Sequence, residues 1–156
     1  MVKPIPDGFH SVTPSMTFKD SNKALEFYKK AFGASVLSIF PGLDGKGVMH
    51  AVMRIGDSIV MMGDEMGPQC KSAESLGATP INPWIYTENV DAFFQRAVQA
   101  GARVTMPVAE AFWGDRWGQL QDPFGYSWSV ATKTRELSES EIKKGAEDFF
   151  ASMGKK

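Results

Sequence analysis

The sequence predicts an α+β chain of two tandem β-α-β-β-β units followed by a C-terminal helix. Three observations carry this expectation. Two segments bear the same apolar stripe, Ala24, Phe27, Tyr28, Ala31 and Phe32 in one and Val90, Phe93, Phe94, Ala97 and Val98 in the other. That spacing is one buried face of a helix. Both stripes end alike, at Gly33-Ala34 and Gly101-Ala102, where glycine supplies a helix stop. Finally, Asp122-Pro123-Phe124-Gly125 puts Asp at i, Pro at i+1 and Gly at i+3 of a type I turn. The alternating runs on either side make residues 115–132 a β-hairpin.

Taken in order, residues 1–11 form an extended arm with Pro4, Pro6 and Gly8. The first unit spans 12–63. A strand over 13–18 sets Thr13, Ser15 and Thr17 on one face, with Pro14 near its start, where it costs the ladder least. Asp20 or Ser21 caps the first helix. Strands follow at 34–40, 48–55 and 58–62, the last two joined by Gly56-Asp57, a Gly-first pair suited to a two-residue hairpin loop. Residues 64–78 are a connector rich in Gly, Pro and charge. The second unit, 79–132, repeats the order: a strand at 80–86 with Asn82, Trp84 and Tyr86 on one side, the second helix, a short strand at 103–106, a loop at 107–114, and the hairpin. In the hairpin's second arm Tyr126, Trp128 and Val130 point one way and pack on a helix, while Ser127, Ser129 and Ala131 point the other. Such internal repetition marks a duplicated architecture. The extension 133–156 carries the capping-box pattern Ser138-x-x-Glu141 and one apolar face, Ile142, Ala146, Phe149, Phe150 and Met153. Phe149 and Phe150 are expected to be buried against the body or a partner subunit.

Composition narrows the function classes. Of 156 residues, 43% are hydrophobic, enough for a proper core. A net charge of −1 gives no attraction to nucleic acid or to an anionic membrane. No apolar run is long enough to span a bilayer, and the segment 1–12 lacks a secretory apolar core. The lone cysteine, Cys70, fits a reducing interior, so a cytoplasmic protein is expected.

Asn22 to Ala34 (NKALEFYKKAFGA) and Asp122 to Thr132 (DPFGYSWSVAT), together with the tandem unit, resemble the vicinal-oxygen-chelate superfamily of glyoxalase I, extradiol dioxygenases and bleomycin-resistance proteins. Val48 to Glu65 and Glu110 to Gly125 are most similar to its uncharacterised PhnB-like branch, sometimes labelled demethylubiquinone-methyltransferase-like. The resemblance implies that the modules form an incomplete β-barrel cup with the helices outside, that the cup binds a small-molecule ligand, and that the protein is a homodimer. It also carries the metal-ligand positions of active relatives onto Thr13, Met61, Asn82 and Ser129. Two hydroxyls, a thioether and an amide offer neither imidazole, thiolate nor carboxylate, so no metal and no cofactor is expected.

The remaining chemistry is sparse. His50, with Glu65 beyond the next strand, is a weak catalytic candidate and the basis of an alternative reading, a metal-dependent lyase or isomerase with a displaced site. The simpler reading, and the one preferred from sequence, is that His50 hydrogen-bonds within the sheet or faces solvent, because one His fixes no geometry. Cys70 has no His or helix N-terminus beside it, and Gly56 to Val60 lacks the second glycine of a nucleophile elbow. A cavity lined by Thr13, Ser15, Met61, Asn82, Trp84, Tyr86, Ser127 and Ser129 suits a small, partly aromatic or apolar ligand. Trp113, Arg116 and Trp117, in the loop 111–117, lie near its rim. Arg116 either clamps a ligand carboxylate or phosphonate or pairs with Asp115 or Glu110. A third reading, an interaction module, rests on the terminal helix alone.

Overall fold

Two helices built on one plan join the halves of this chain. The computed structural model describes residues 2–154. Helix α1 (Ser21–Phe32) starts where the Asp20 carboxylate accepts from Lys23 N at 3.0 Å. It stops at Gly33, whose φ of 67° no β-carbon-bearing residue adopts cheaply. Helix α3 (Val90–Ala100) starts on Asn89, which accepts from Ala92 N, and stops at Gly101. The two helices pack against each other, with the rings of Phe32 and Phe93 stacked at 5.6 Å.

Strands β1 (Ser15–Phe18), β2 (Ser35–Pro41), β3 (Val48–Ile55) and β4 (Ser58–Asp64) form one mixed sheet in the order β1-β4-β3-β2. Strands β5 (Trp84–Tyr86), β6 (Arg103–Glu110), β7 (Asp115–Gln121) and β8 (Ser127–Lys133) form a second, in the order β5-β8-β7-β6. The two orders are identical in pattern, and in each the first strand runs parallel to the last. The sheets do not join, so the barrel stays open. The duplication extends to single bonds. Asp64 Oδ1 receives Ser21 N at the head of α1, and Thr132 Oγ1 receives Val90 N at the head of α3.

The first strand of each sheet is shorter than the sequence suggests, for one reason. Pro14 and Pro83 still accept, from Met61 N at 2.9 Å and Ser129 N at 3.0 Å, but with no N–H of their own they cannot return the bond. The ladders therefore begin at Ser15 and Trp84. In the opposite direction β6 runs past its expected end to Glu110. Pro107 is tolerated because β6 is an edge strand, and the register slips by one residue between Met106 and Ala109. The connector also holds a short helix, α2 (Ala73–Leu76), capped by Ser72.

One hydrophobic cluster runs through both halves, including Phe18, Tyr28, Phe32, Met53, Met62, Phe94, Leu120 and Trp128. Its polar centre is Asp122. Oδ1 accepts from Phe124 N and Tyr126 N, closing the turn, while Oδ2 accepts from the Tyr28 hydroxyl and the Trp128 indole. The hairpin turn is thus bonded to both α1 and β8.

Helix α4 (Glu139–Met153) has the full capping box between Ser138 and Glu141. None of its residues is buried against the body, so of the two covers expected for Phe149 and Phe150 the body is not the one; Phe150 is 64% exposed on this chain. The helix touches the body at Phe112. Phe149 lies 5.7 Å from Phe112 between ring centres, and Gly145 sits so close that a β-carbon there would stand 2.9 Å from Phe112 Cβ. Among the described residues no helix is long and apolar enough to cross a membrane.

Candidate functional site

The open face of the second sheet concentrates aromatic surface. Register pairs Trp84 with Ser129 and Tyr86 with Ala131 across β5 and β8, and Trp117 with Ala131 across β7 and β8. Directly opposed residues share a face, so the central strand contributes only small side chains there. The large rings of the flanking strands lean together over them. Trp84 and Trp117 stack at 5.7 Å with 11° between planes, and Ser129 and Ala131 are fully buried. Trp113, from the loop before β7, stands at about 60° to both, 6.5 Å from Trp84 and 5.6 Å from Trp117. The result is a corner with two indole walls on one side and one on the other.

Polar groups edge this corner. Asp115, only 2% exposed, accepts from the Tyr86 hydroxyl and the Trp113 indole, each at 2.9 Å and both on Oδ2. That hydrogen bond pushes the Tyr86 phenol above its ordinary pKa, with desolvation adding to it. The Trp117 indole N–H is buried without a partner. Yet the corner is not sealed, since Trp84 is 42% and Tyr86 63% exposed. Both rings also line a cleft of about 900 Å³ between the sheets, along with Thr13, Ile59, Phe93 and Arg96.

The candidate residues from sequence therefore separate into groups. Trp84, Tyr86 and Trp113 come together. Asn82 and Ser129 meet through Nδ2 donating to Oγ at 3.0 Å, on the same sheet; Ser127 opposes Gln121 farther along β8. Ser15 and Met61 oppose each other on the first sheet, and Thr13 donates to the His10 carbonyl before it. The ion that the fold family implies does not fit this set: Asn82 and Ser129 hold each other, and none of the four is anionic or an imidazole. Among the described residues no three His, Cys, Asp or Glu side chains gather where they could hold a metal ion.

His50 and Glu65 do not share a bond. The His50 ring lies beside Phe40 at 6.3 Å. Glu65 accepts from Ser72 N and Oγ and pairs with Lys71, and the Ser72 bonds draw its pKa down to about 2. Arg116 does not point toward the corner. Its guanidinium binds Asp91 of α3 through two bonds of 2.8 Å, with Glu110 at 3.6 Å, and this engagement lowers the Asp91 pKa.

Sequence reasoning put Trp117 in the loop near the rim and took Asp115 only as a partner for Arg116; it did not join the two to Trp113 as one site. Their signal was the two-residue alternation Trp113, Asp115, Trp117, which aims all three side chains to one side of a strand and its approach.

Comparison with known proteins agrees with this architecture. An uncharacterised protein of Mycobacterium bovis is 40% identical over 136 residues, 85% of this chain and 89% of that protein. TioX from Micromonospora sp. ML1 superposes with a TM-score of 0.63 at 23% identity, covering 83% of this chain and all of that one. A PhnB protein from Bacillus cereus, described as a putative 3-demethylubiquinone-9 3-methyltransferase, gives 0.63 at 18% identity over 79% of this chain and 99% of its own. Residues 9–130 match the family model of the Glyoxalase/Bleomycin resistance protein/Dioxygenase superfamily, and the chain belongs to that superfamily.

Proposed function

We propose that this protein binds a small, partly aromatic organic molecule on the indole corner of its second sheet, without a metal ion. One observation carries the reading: three tryptophans and a tyrosine converge on an open face, with a buried indole N–H that has no acceptor. Exposed rings of this size gain about 25 cal/mol per Å² covered. The neutral character of Thr13, Met61, Asn82 and Ser129 supports metal independence. The reading extends to a homodimer, supported by the exposed aromatic surface of Tyr86 and Phe150, and to a cytoplasmic location, supported by the lone thiol.

Titration of the native tryptophan fluorescence with a panel of small aromatic compounds tests the reading. Quenching or a blue shift that saturates is expected, with thermal stabilisation following RT ln(1 + [L]/Kd). Trp84→Ala is expected to weaken binding at least tenfold while leaving far-UV circular dichroism unchanged. A panel with no saturable binder would overturn the proposal. So would ligand binding that survives in Trp84→Ala but requires added zinc, nickel or manganese.

A further inference from the structure

Two aspartates of the second sheet are buried to a similar degree, and only one of them has its charge answered. Asp122 is 5% exposed and receives four donors, two on each oxygen. Asp115 is 2% exposed and receives two, both on Oδ2; among the described residues nothing donates to Oδ1. Nor does any Lys, Arg or His among the described residues form an ion pair with it. The nearest candidate by register is Lys133, directly across on β8. Its ammonium is turned instead to Glu136, 3.4 Å away. Arg116, the next residue along β7, pairs with Asp91 and Glu110.

Asp115 Oδ1 is not among the sealed unpartnered atoms, so it is open to an incoming group, and a carboxylate otherwise so shielded favours a cation there. The surroundings specify which kind. Asp115 is bonded to the rims of Tyr86 and Trp113, and the faces of Trp84, Trp113 and Trp117 meet beside them. Indole faces attract a positive charge that carries apolar substituents, and the attraction grows as water is excluded. A hydrated metal ion finds no such match there. We propose that the ligand of the indole corner is a small organic cation, a protonated amine with apolar substituents, that gives its N–H to Asp115 Oδ1 and lays those substituents on the tryptophan faces. This inference rests on the aromatic-binding reading above and adds the sign of the ligand's charge.

The test compares two ligands of nearly equal shape against the full-length protein at neutral pH: N,N-dimethylbenzylamine, protonated there, and isobutylbenzene, its neutral carbon counterpart. Tryptophan fluorescence gives both affinities. The amine is expected to bind at least tenfold tighter than the hydrocarbon. In Asp115→Asn that preference is expected to fall at least fivefold, to the part the indole faces supply by themselves, with hydrocarbon binding retained because the amide oxygen still accepts from Tyr86 and Trp113. Equal affinities in the wild-type protein would overturn the inference and leave aromatic binding standing; this comparison needs no variant. A preference for the amine that is undiminished in Asp115→Asn would also overturn it. Binding of neither compound would sink the inference and count against the aromatic reading with it.

Discussion

At the scale of single residues, Asp122 shows how much one carboxylate can organise. It closes the β7–β8 turn and holds a tyrosine of α1 and a tryptophan of β8 at once. Burial raises its pKa despite those donors, which act in the opposite direction. Asp122→Ala would leave two buried side-chain donors and two turn amides unanswered. A loss of about 3 kcal/mol or more is expected, read as a lowered urea midpoint at unchanged m-value. Glu65 offers a residue-level test in pH. Its folded pKa, about 2, lies below its ordinary 4.5, so its stabilising contribution is fully present above pH 4.5 and disappears as pH falls through about 2. The protection of the Ser72 amide, as its exchange rate relative to an unstructured amide at the same pH, is expected to fall over that window and to be insensitive to acid in Glu65→Gln. The same residue scale explains what could not be read in advance. That Arg116 would turn to Asp91 depends on α3 crossing the end of β7, a contact no local pattern encodes. Asp115 was visible only as one member of an alternating triplet, and its unanswered oxygen emerges only once every neighbour is placed.

Among the elements, helix stops, hairpin turns and the repeated helical stripes were legible because each is fixed within a few residues: Gly33 and Gly101 act where the spacing put them, and Asp20 is the one of two cap candidates that starts α1. Strand ends were less legible. Pro14 and Pro83 truncate two ladders, whereas Pro107 truncates none, and the difference is whether the missing N–H would have faced a partner strand. Helix α4 was legible as a helix but not in its packing, since its apolar face is only partly covered, with Phe149 and Gly145 against Phe112. Gly145 is the point of closest approach. Helix propensity alone would make Gly145→Ala stabilising by about 1 kcal/mol. Against that, a β-carbon at 2.9 Å from Phe112 Cβ forces a displacement costing about 1 to 3 kcal/mol. The clash is expected to win: hydrogen exchange in α4 should quicken in Gly145→Ala, with the melting temperature of the body unchanged because no α4 residue is buried in it.

Across the whole molecule the two sheets are separate hydrogen-bonded bodies held by one shared core. Phe32 sits at that junction, contacting Phe27, Tyr28, Phe93 and Trp128. Phe32→Ala is expected to cost about 3 to 5 kcal/mol and to destabilise both halves together. All four tryptophans belong to the second half, so their fluorescence follows that half while far-UV circular dichroism follows both. Coincident urea transitions from the two probes are expected in wild type and variant; separated midpoints would show that the halves unfold independently. The strand borders carry a further consequence. Along β6 a proline and a slipped register interrupt the outermost row of backbone groups, and β2 closes on Pro41 after an irregular step of its own. A strand from another molecule laid along either border would meet gaps in spacing and a missing donor. These two rims are finished hems, so another copy of this chain would not lengthen either sheet along β2 or β6.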